Sequence, residues 1–275
     1  MTPRNVRGIA VAAMLAACAP AFAQSGAALQ SVEADGTQFK VTLTDGQVLR
    51  SRELVGATLT IAHNGIAYRI RIEAVETDPR TPERGVPPDH QVFLHTLSIE
   101  TADGTWQNVC LAGPDGRRQA FPLAGRVRAD GTIAPAEPGT FEITCTSGAQ
   151  GKCARFGYHP WENAPDGSSG YDLYNACIRM VRADYSGSKG TTRDGQLIDL
   201  YDRFGIQKSD EDAALVFEAG WTKDGAVCVR HVRVKENILL EELDALPSLH
   251  GRTGAICTEE FARQHGAVIF NRSRD

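Results

Sequence analysis

The sharpest chemistry on offer is a thiol with a nearby base. Cys177, with His159 or His231 as the base and an aspartate to orient it, would make an extracytoplasmic thiol hydrolase. A second candidate is the run Asp184, Asp194, Asp199 and Asp202, whose carboxylates could converge on a bound metal such as calcium. Both have plainer readings. A nucleophilic thiol must stay reduced, yet Cys177 is accompanied by Cys110, Cys145, Cys153, Cys228 and Cys257. The aspartates do not follow the D-x-[DN]-x-[DN]-G order of a calcium loop and read as solvated turn residues, with Asp184 paired to Arg179 or Arg182 at little energetic consequence. His231 falls in an expected strand between Arg230 and Arg233, where a half-buried imidazole would have its protonation depressed by the arginines. His90 and His95, five apart on a strand, would point to opposite faces and cannot share a metal.

The aromatic group Phe156, Tyr158 and Trp161 around His159-Pro160 reads first as a packed corner and second as a platform for a sugar or a peptide. His159, Trp161, Asp194, Asp199 and Asp202 therefore make up the candidate ligand surface. There is no C-x-x-C, no H-E-x-x-H and no G-x-S-x-G elbow, and Gly187-Ser188-Lys189-Gly190-Thr191-Thr192 has the wrong order for a phosphate loop. No catalytic residue, cofactor or metal ligand is assigned on this basis.

The compartment decides how the cysteines are used. Residues 1–23 combine a basic start at Arg4 and Arg7, an apolar run from Ile9 to Ala17 and the small-residue ending Ala21-Phe22-Ala23, the layout of an export leader. The run is too short to cross a bilayer core of about 30 Å with polar flanks, so no transmembrane span is expected in the mature chain. The complete small-residue site, following Pro20, favours cleavage after Ala23. The alternative is Leu15-Ala16-Ala17-Cys18, a lipobox-like stretch in which Cys18 would be acylated. Either way the other six cysteines meet an oxidising space, periplasmic or extracellular, and three disulfides are the expectation. Their pairing is open, except that Cys110 and Cys145 each end an expected strand and could staple neighbours.

Composition excludes some partners. With 29 Lys and Arg against 34 Asp and Glu the net charge is −5, and loss of Arg4 and Arg7 makes it −7, a balance that disfavours a nucleic-acid partner. At 42% hydrophobic and 23% charged residues the chain lies outside the disordered range.

The elements that must position these residues change character midway. From about Gln38 to Cys145 the apolar period is two: Phe39, Val41 and Leu43, then Tyr68, Ile70 and Ile72, then Phe93, His95, Leu97 and Ile99, then Phe141, Ile143 and Cys145. Asp45-Gly46, Asn64-Gly65, Asp103-Gly104 and Asp130-Gly131 supply the turns, and the proline-rich stretch 77–89 reads as a loop. Later, Tyr171, Tyr174, Ile178 and Val181 form a helical stripe behind a capping box at Ser169-Gly170-Tyr171-Asp172. Residues 216–221 and 226–234 read as a hairpin around Lys223-Asp224-Gly225, 238–246 as a short helix, and Thr258 as the cap of a last helix ending near His265-Gly266. The expected class is mainly β: an antiparallel sandwich or barrel-like half over 24–150, then an α+β, disulfide-stapled half over 151–275.

Residues 153–234 also carry a resemblance, which extends over most of the mature chain and is densest in that central block. Lys152-Cys153, Gly157-Tyr158-His159-Pro160-Trp161, Ala176 to Tyr185, Thr192-Arg193-Asp194-Gly195, Ile198-Asp199 and Tyr201-Asp202 together resemble the ADYC domain of bacterial exported proteins, as does the ending Asn271-Arg272-Ser273. The resemblance implies an extracytoplasmic protein and brings no activity with it. Its core is Arg182-Ala183-Asp184-Tyr185, followed by Ser186 where the family's name-giving cysteine would stand. Because the count after the leader stays even, the resemblance implies that both halves of one ancestral bridge are missing. Two functions follow as expectations: a non-catalytic module that binds an unknown protein or envelope component, or a hydrolase using a Cys/His pair or a bound metal.

Overall fold

The computed structural model describes residues 27–63, 65–79, 91–210, 212 and 214–275, and the backbone of 13–14. The readings on Cys18, Ala23, His90 and Asn64 lie outside the described residues. The chain divides into two compact units, one holding the residues up to Arg128 and Ile133–Arg155, the other Ala129–Thr132 and Phe156–Asp275.

The first unit contains β1 (Ala13–Met14), β2 (Leu29–Asp35), β3 (Gln38–Leu43), β4 (Val48–Arg50), β5 (Thr58–His63), β6 (Ile66–Thr77), β7 (Phe93–Glu100), β8 (Trp106–Asn108), β9 (Ala120–Ala124), β10 (Arg126–Val127), β11 (Ile133–Ala134), β12 (Phe141–Cys145) and the helix α1 (Ala149–Arg155). All pairings are antiparallel. A large sheet runs in the order β1-β5-β6-β7-β9-β12 with β8 beside β7, and β2-β3-β4 form a second sheet. The alternation seen in the sequence is what lets the sheets close on each other. Phe39, Val41 and Leu43 of the small sheet share one core with Leu59, Ile61, Ile70, Ile72, Leu97, Ala120 and Phe141 of the large one. A polar chain runs through this core. The Phe39 amide donates to Ser51 Oγ at 2.7 Å, Ser51 Oγ lies 2.7 Å from His95 Nε2, and His95 Nδ1 lies 3.2 Å from the Ala120 carbonyl. Cys110 and Cys145 are bonded to each other, and Arg155 grips the buried Asp78 carboxylate through two nitrogens.

The second unit contains α2 (Gly170–Arg182), β13 (Ile198–Asp202), β14 (Val216–Thr222), β15 (Gly225–Val229), the helices α3 (Leu240–Asp244) and α4 (Glu259–Gln264), and β16 (Ile269–Ser273). Its antiparallel sheet has the order β13-β16-β14-β15, so the last strand of the chain is an inner one. Helix α2 packs on β14, β15 and β16. Helix α4 sits close against β14 because Gly220 leaves room: a Cβ there would stand 2.5 Å from that of Ala262 and 2.9 Å from that of Ala267. Cys228 and Cys257, bonded to each other, lie in the same apolar cluster as Tyr201 and Phe270.

The mainly β, antiparallel class with an α+β second half is what the structure shows, with local corrections. The hairpin's second strand stops at Val229, so His231 is not in a strand. Ser169 does begin α2, but its hydroxyl caps nothing; the Asp172 amide donates to the Ser169 carbonyl instead. Helix α1 and strands β13 and β16 are additions. In α1, seven residues with Gly151 among them are too few to display a stripe, and that glycine is needed because a Cβ would meet the Cys145 carbonyl oxygen at 2.3 Å.

Gly187, just past the Asp184-Tyr185 pair, combines φ of 76° with a site where a Cβ would stand 2.0 Å from the Asp224 carbonyl oxygen, whereas Gly195 has φ of 83° and open space around it. Gly195→Ala is expected to cost about 1 kcal/mol from backbone conformation alone. Gly187→Ala adds a main-chain collision and should cost about 3 kcal/mol or prevent folding. Urea midpoints of the two variants check the ordering.

Candidate functional site

The densest set of charged and hydrogen-bonding groups in the second unit lies where α2 ends, and it is built from the ADYC-like residues. Helix α2 stops because Ala183 turns left-handed at φ 48°. The Ala183 amide then donates to the Met180 carbonyl and the Asp184 amide to that of Arg179, which closes the helix in a Schellman pattern. An alanine in that conformation costs about 1 kcal/mol relative to glycine. It is held by its surroundings: Ala183 is fully buried, and Thr191 Oγ1 donates to its carbonyl at 2.7 Å.

Asp184 follows, fully buried rather than solvated. It accepts from Arg179 Nη1 at 2.7 Å and from the Lys189 amide at 2.8 Å. Arg179 also reaches Asp130 at 2.6 Å and the Lys223 carbonyl at 3.0 Å, and Arg182 donates to the Asp130 carbonyl. Burial raises the Asp130 carboxyl, but hydrogen bonds from Thr132 and Arg179 and the charge of Arg179 overcome it and leave the group at about 2. The Asp184–Arg179 pair is thus a buried ion pair, and removing one partner would strand a charge.

Tyr185 leads into a second buried cluster. Its hydroxyl donates to Glu218 Oε1 at 2.9 Å and accepts from the Arg233 amide at 2.9 Å, while its ring stacks on Trp221 with centroids 5.1 Å apart. Glu218 is met by Arg233 Nε and Nη2 at 3.0 Å each and by Asn271 Nδ2 at 2.7 Å, and Trp221 Nε1 donates to Asn271 Oδ1 at 2.8 Å. Arg233 spends its remaining N–H groups on the Met180 and Val181 carbonyls and on Thr192 Oγ1. Burial alone would raise the Glu218 carboxyl, but the Arg233 charge wins and holds it below the ordinary glutamate range. Burial first, then Glu218, pushes the Tyr185 hydroxyl well above its ordinary value, so it stays protonated and donates. Every strong group here has its partner inside the protein.

The residues singled out from the sequence are scattered by comparison. Asp199 is buried and accepts from Ser209 Oγ and the Asp210 amide. Asp202 is buried and accepts from the Tyr158 hydroxyl and from the amides of Phe204, Ile206 and Gln207. Only Asp194 is an exposed turn residue. The expectation of solvated aspartates fails for the other three because backbone amides and hydroxyls replace water around them. Among the described residues no group of three or more His, Cys, Asp or Glu side chains is placed to hold a metal ion.

His159 and Trp161 stack with centroids 4.6 Å apart, and Trp161 Nε1 donates to Glu162 Oε1 at 3.1 Å. Tyr158 is fully buried while Trp161 stays half-exposed, so the corner is part core and part surface. His231 is buried beside Ser273 at 2.9 Å, and burial, not the neighbouring arginines, is the main cause that lowers its protonation. Cys177 is fully buried and, like Cys110, Cys145, Cys153, Cys228 and Cys257, disulfide-bonded. The hydrolase reading therefore lacks its thiolate. The Ser186 hydroxyl lies 2.8 Å from the Ser188 hydroxyl.

Glu218, Arg233, Asn271 and Trp221 escaped sequence reasoning. One signal was present: a lone acid in Val216-Phe217-Glu218-Ala219-Gly220-Trp221 and a lone base in Val232-Arg233-Val234, opposite charges set in apolar runs.

Glu218→Gln would leave Arg233 buried without its counter-charge and is expected to destabilise the protein by about 3–5 kcal/mol. Tyr185→Phe would remove only the hydroxyl and should cost about 1–3 kcal/mol. Because the Glu218 carboxyl is lower in the folded state than in the unfolded one, its contribution is present at neutral pH and lost on acidification below the ordinary glutamate range. Denaturation midpoints of the parent and Glu218→Gln proteins between pH 7 and pH 3 should converge.

No curated protein and no solved structure matches the chain. A family model does: the ADYC domain matches residues 51–235, more than half of the sequence, a range that holds Asp184, Tyr185, Glu218 and Arg233 but not Asn271. The chain belongs to the ADYC domain family.

Proposed function

We propose that this disulfide-stabilised protein is exported, periplasmic or extracellular, and acts as a non-catalytic module that binds a protein or envelope component and no nucleic acid. The observation that carries the reading is Cys177: the best nucleophile in the sequence is buried and disulfide-bonded. Three further points support it. Sulfur is used throughout as cross-link, which suits an oxidising compartment. The residues that could have formed a metal or acid–base centre are taken up by internal hydrogen bonds, as at Asp202 and Glu218. Among the described residues no helix is long and apolar enough to cross a membrane. Trp161, part-exposed and backed by the largely buried His159 ring, and Asp194, the one exposed aspartate of the run, are the residues we assign to ligand contact. Residues 24–150 and 151–275 would be its two domains, with 1–23 as the leader.

The test is to produce the chain with its own leader in a bacterial host, fractionate the cells, and measure the intact mass after alkylation without reduction. The expected product is extracytoplasmic, begins at Gln24 and takes up no alkylating groups. A product beginning at an acylated Cys18 would replace cleavage after Ala23 with a lipid anchor. Recovery from the cytosol with the leader attached and every thiol alkylated would overturn the proposal and reopen thiol chemistry.

A further inference from the structure

The polar chain in the core of the first unit links three separate elements through one imidazole. Strand β3 supplies the Phe39 amide, which donates to Ser51 Oγ, and the Phe39 ring, which meets the His95 ring at 86° with centroids 5.3 Å apart. The turn after β4 supplies Ser51, and β9 supplies the Ala120 carbonyl. His95↔Ala120 is also the one residue pair that joins β7 to β9 in the sheet. The donors and acceptors fix the tautomer. A carbonyl can only accept, so His95 Nδ1 carries the proton; Nε2 is then a lone pair, and the Ser51 hydroxyl donates to it while accepting from Phe39. Ser51 and His95 are both fully buried, so this pair cannot meet a substrate.

Among the described residues no counter-charge faces the ring. Val75 is its β6 partner in register. The charged groups described on the packed elements are engaged elsewhere: Lys40 of β3 with Glu33, Glu53 of the turn with the Arg50 amide, Arg52 with Thr77, Arg71 and Glu73 of β6 with each other, Glu76 of β6 with Arg117 and Glu100 of β7 with Arg69.

We propose that His95 is an acid-operated clamp: a second proton on its ring releases the β2-β3-β4 sheet from the large sheet of the first unit. Protonated Nε2 would present an N–H to Ser51 Oγ and take away the acceptor of the Ser51 hydroxyl, leaving a cation and a stranded donor in an apolar core. Burial already lowers the ring to about 4. A histidine lowered in the closed state binds its second proton more readily when open. The clamp is therefore indifferent to pH above about 6.5 and weakens from there down to about pH 4.

The experiment uses the full chain with ¹⁵N-labelled histidine. Ring-nitrogen spectra between pH 7.5 and 3.5 should show His95 as the Nδ1–H tautomer, titrating about two units below an ordinary imidazole. Hydrogen exchange, corrected for the intrinsic pH dependence, should show the opening equilibrium of the Phe39 and Val41 amides rising about a hundredfold between pH 7 and pH 4, tenfold per unit below about 6.5. In His95→Gln that slope should vanish. A His95 ring titrating near 6.5, or β3 protection flat across the range in the parent protein, would overturn the proposal. The parent readings stand even where the variant fails to fold.

Discussion

The Arg233–Glu218 pair is the constraint around which the second unit is arranged. Neither side chain can be left without the other, because an ionised group in an apolar interior is tolerated only when a counter-charge and further hydrogen bonds replace its water. Satisfying both draws in Tyr185 from the end of α2, Asn271 from the terminal strand, and the carbonyls of Met180 and Val181. Helix, sheet and the segment after β15 are thereby placed relative to one another. Swapping the pair for apolar groups of similar volume would in general be tolerated energetically. What such a pair supplies is direction: a guanidinium fork accepts its carboxylate in few orientations.

The same reasoning gives the ADYC residues individual tasks. Arg182 holds the Asp130 backbone, Ala183 accepts a strained conformation so that α2 can turn sharply, Asp184 closes on Arg179, and Tyr185 carries the chain into the Glu218 cluster. Four consecutive residues act on four different neighbours, all inside the protein. Within this chain, residues 182–185 thus serve to hold the fold, and their polar groups are spent on internal partners rather than on water.

What could be read from the sequence, and what could not, divides along physical lines. A strand such as Gln38–Leu43 was legible because one face is buried and the other meets water, so period two survives in the residue types. Strand β16 was not, because Ile269, Phe270 and Asn271 are all buried; a strand covered on both faces has no alternation to show. The aspartates misled for a related reason. Residue type says that a carboxylate prefers water, but Asp202 finds three amides in its own loop, an arrangement that exists only once that loop has closed. That six of the cysteines would be used as cross-links was readable from their even number and the leader expected over 1–23, whereas the hydrogen bond from Ser51 to His95 joins positions 44 apart and left no local mark.

The inner position of β16 has a consequence for how this polypeptide comes into being. Since β13 and β14 both hydrogen-bond to residues 269–273 and not to each other, the second sheet has no middle until that later strand is in place. Its halves cannot be zipped by neighbouring hairpins alone. Completing this sheet is a long-range event, in which the entropy of closing the chain between β13 and β16 is lost before the inner ladders offset it.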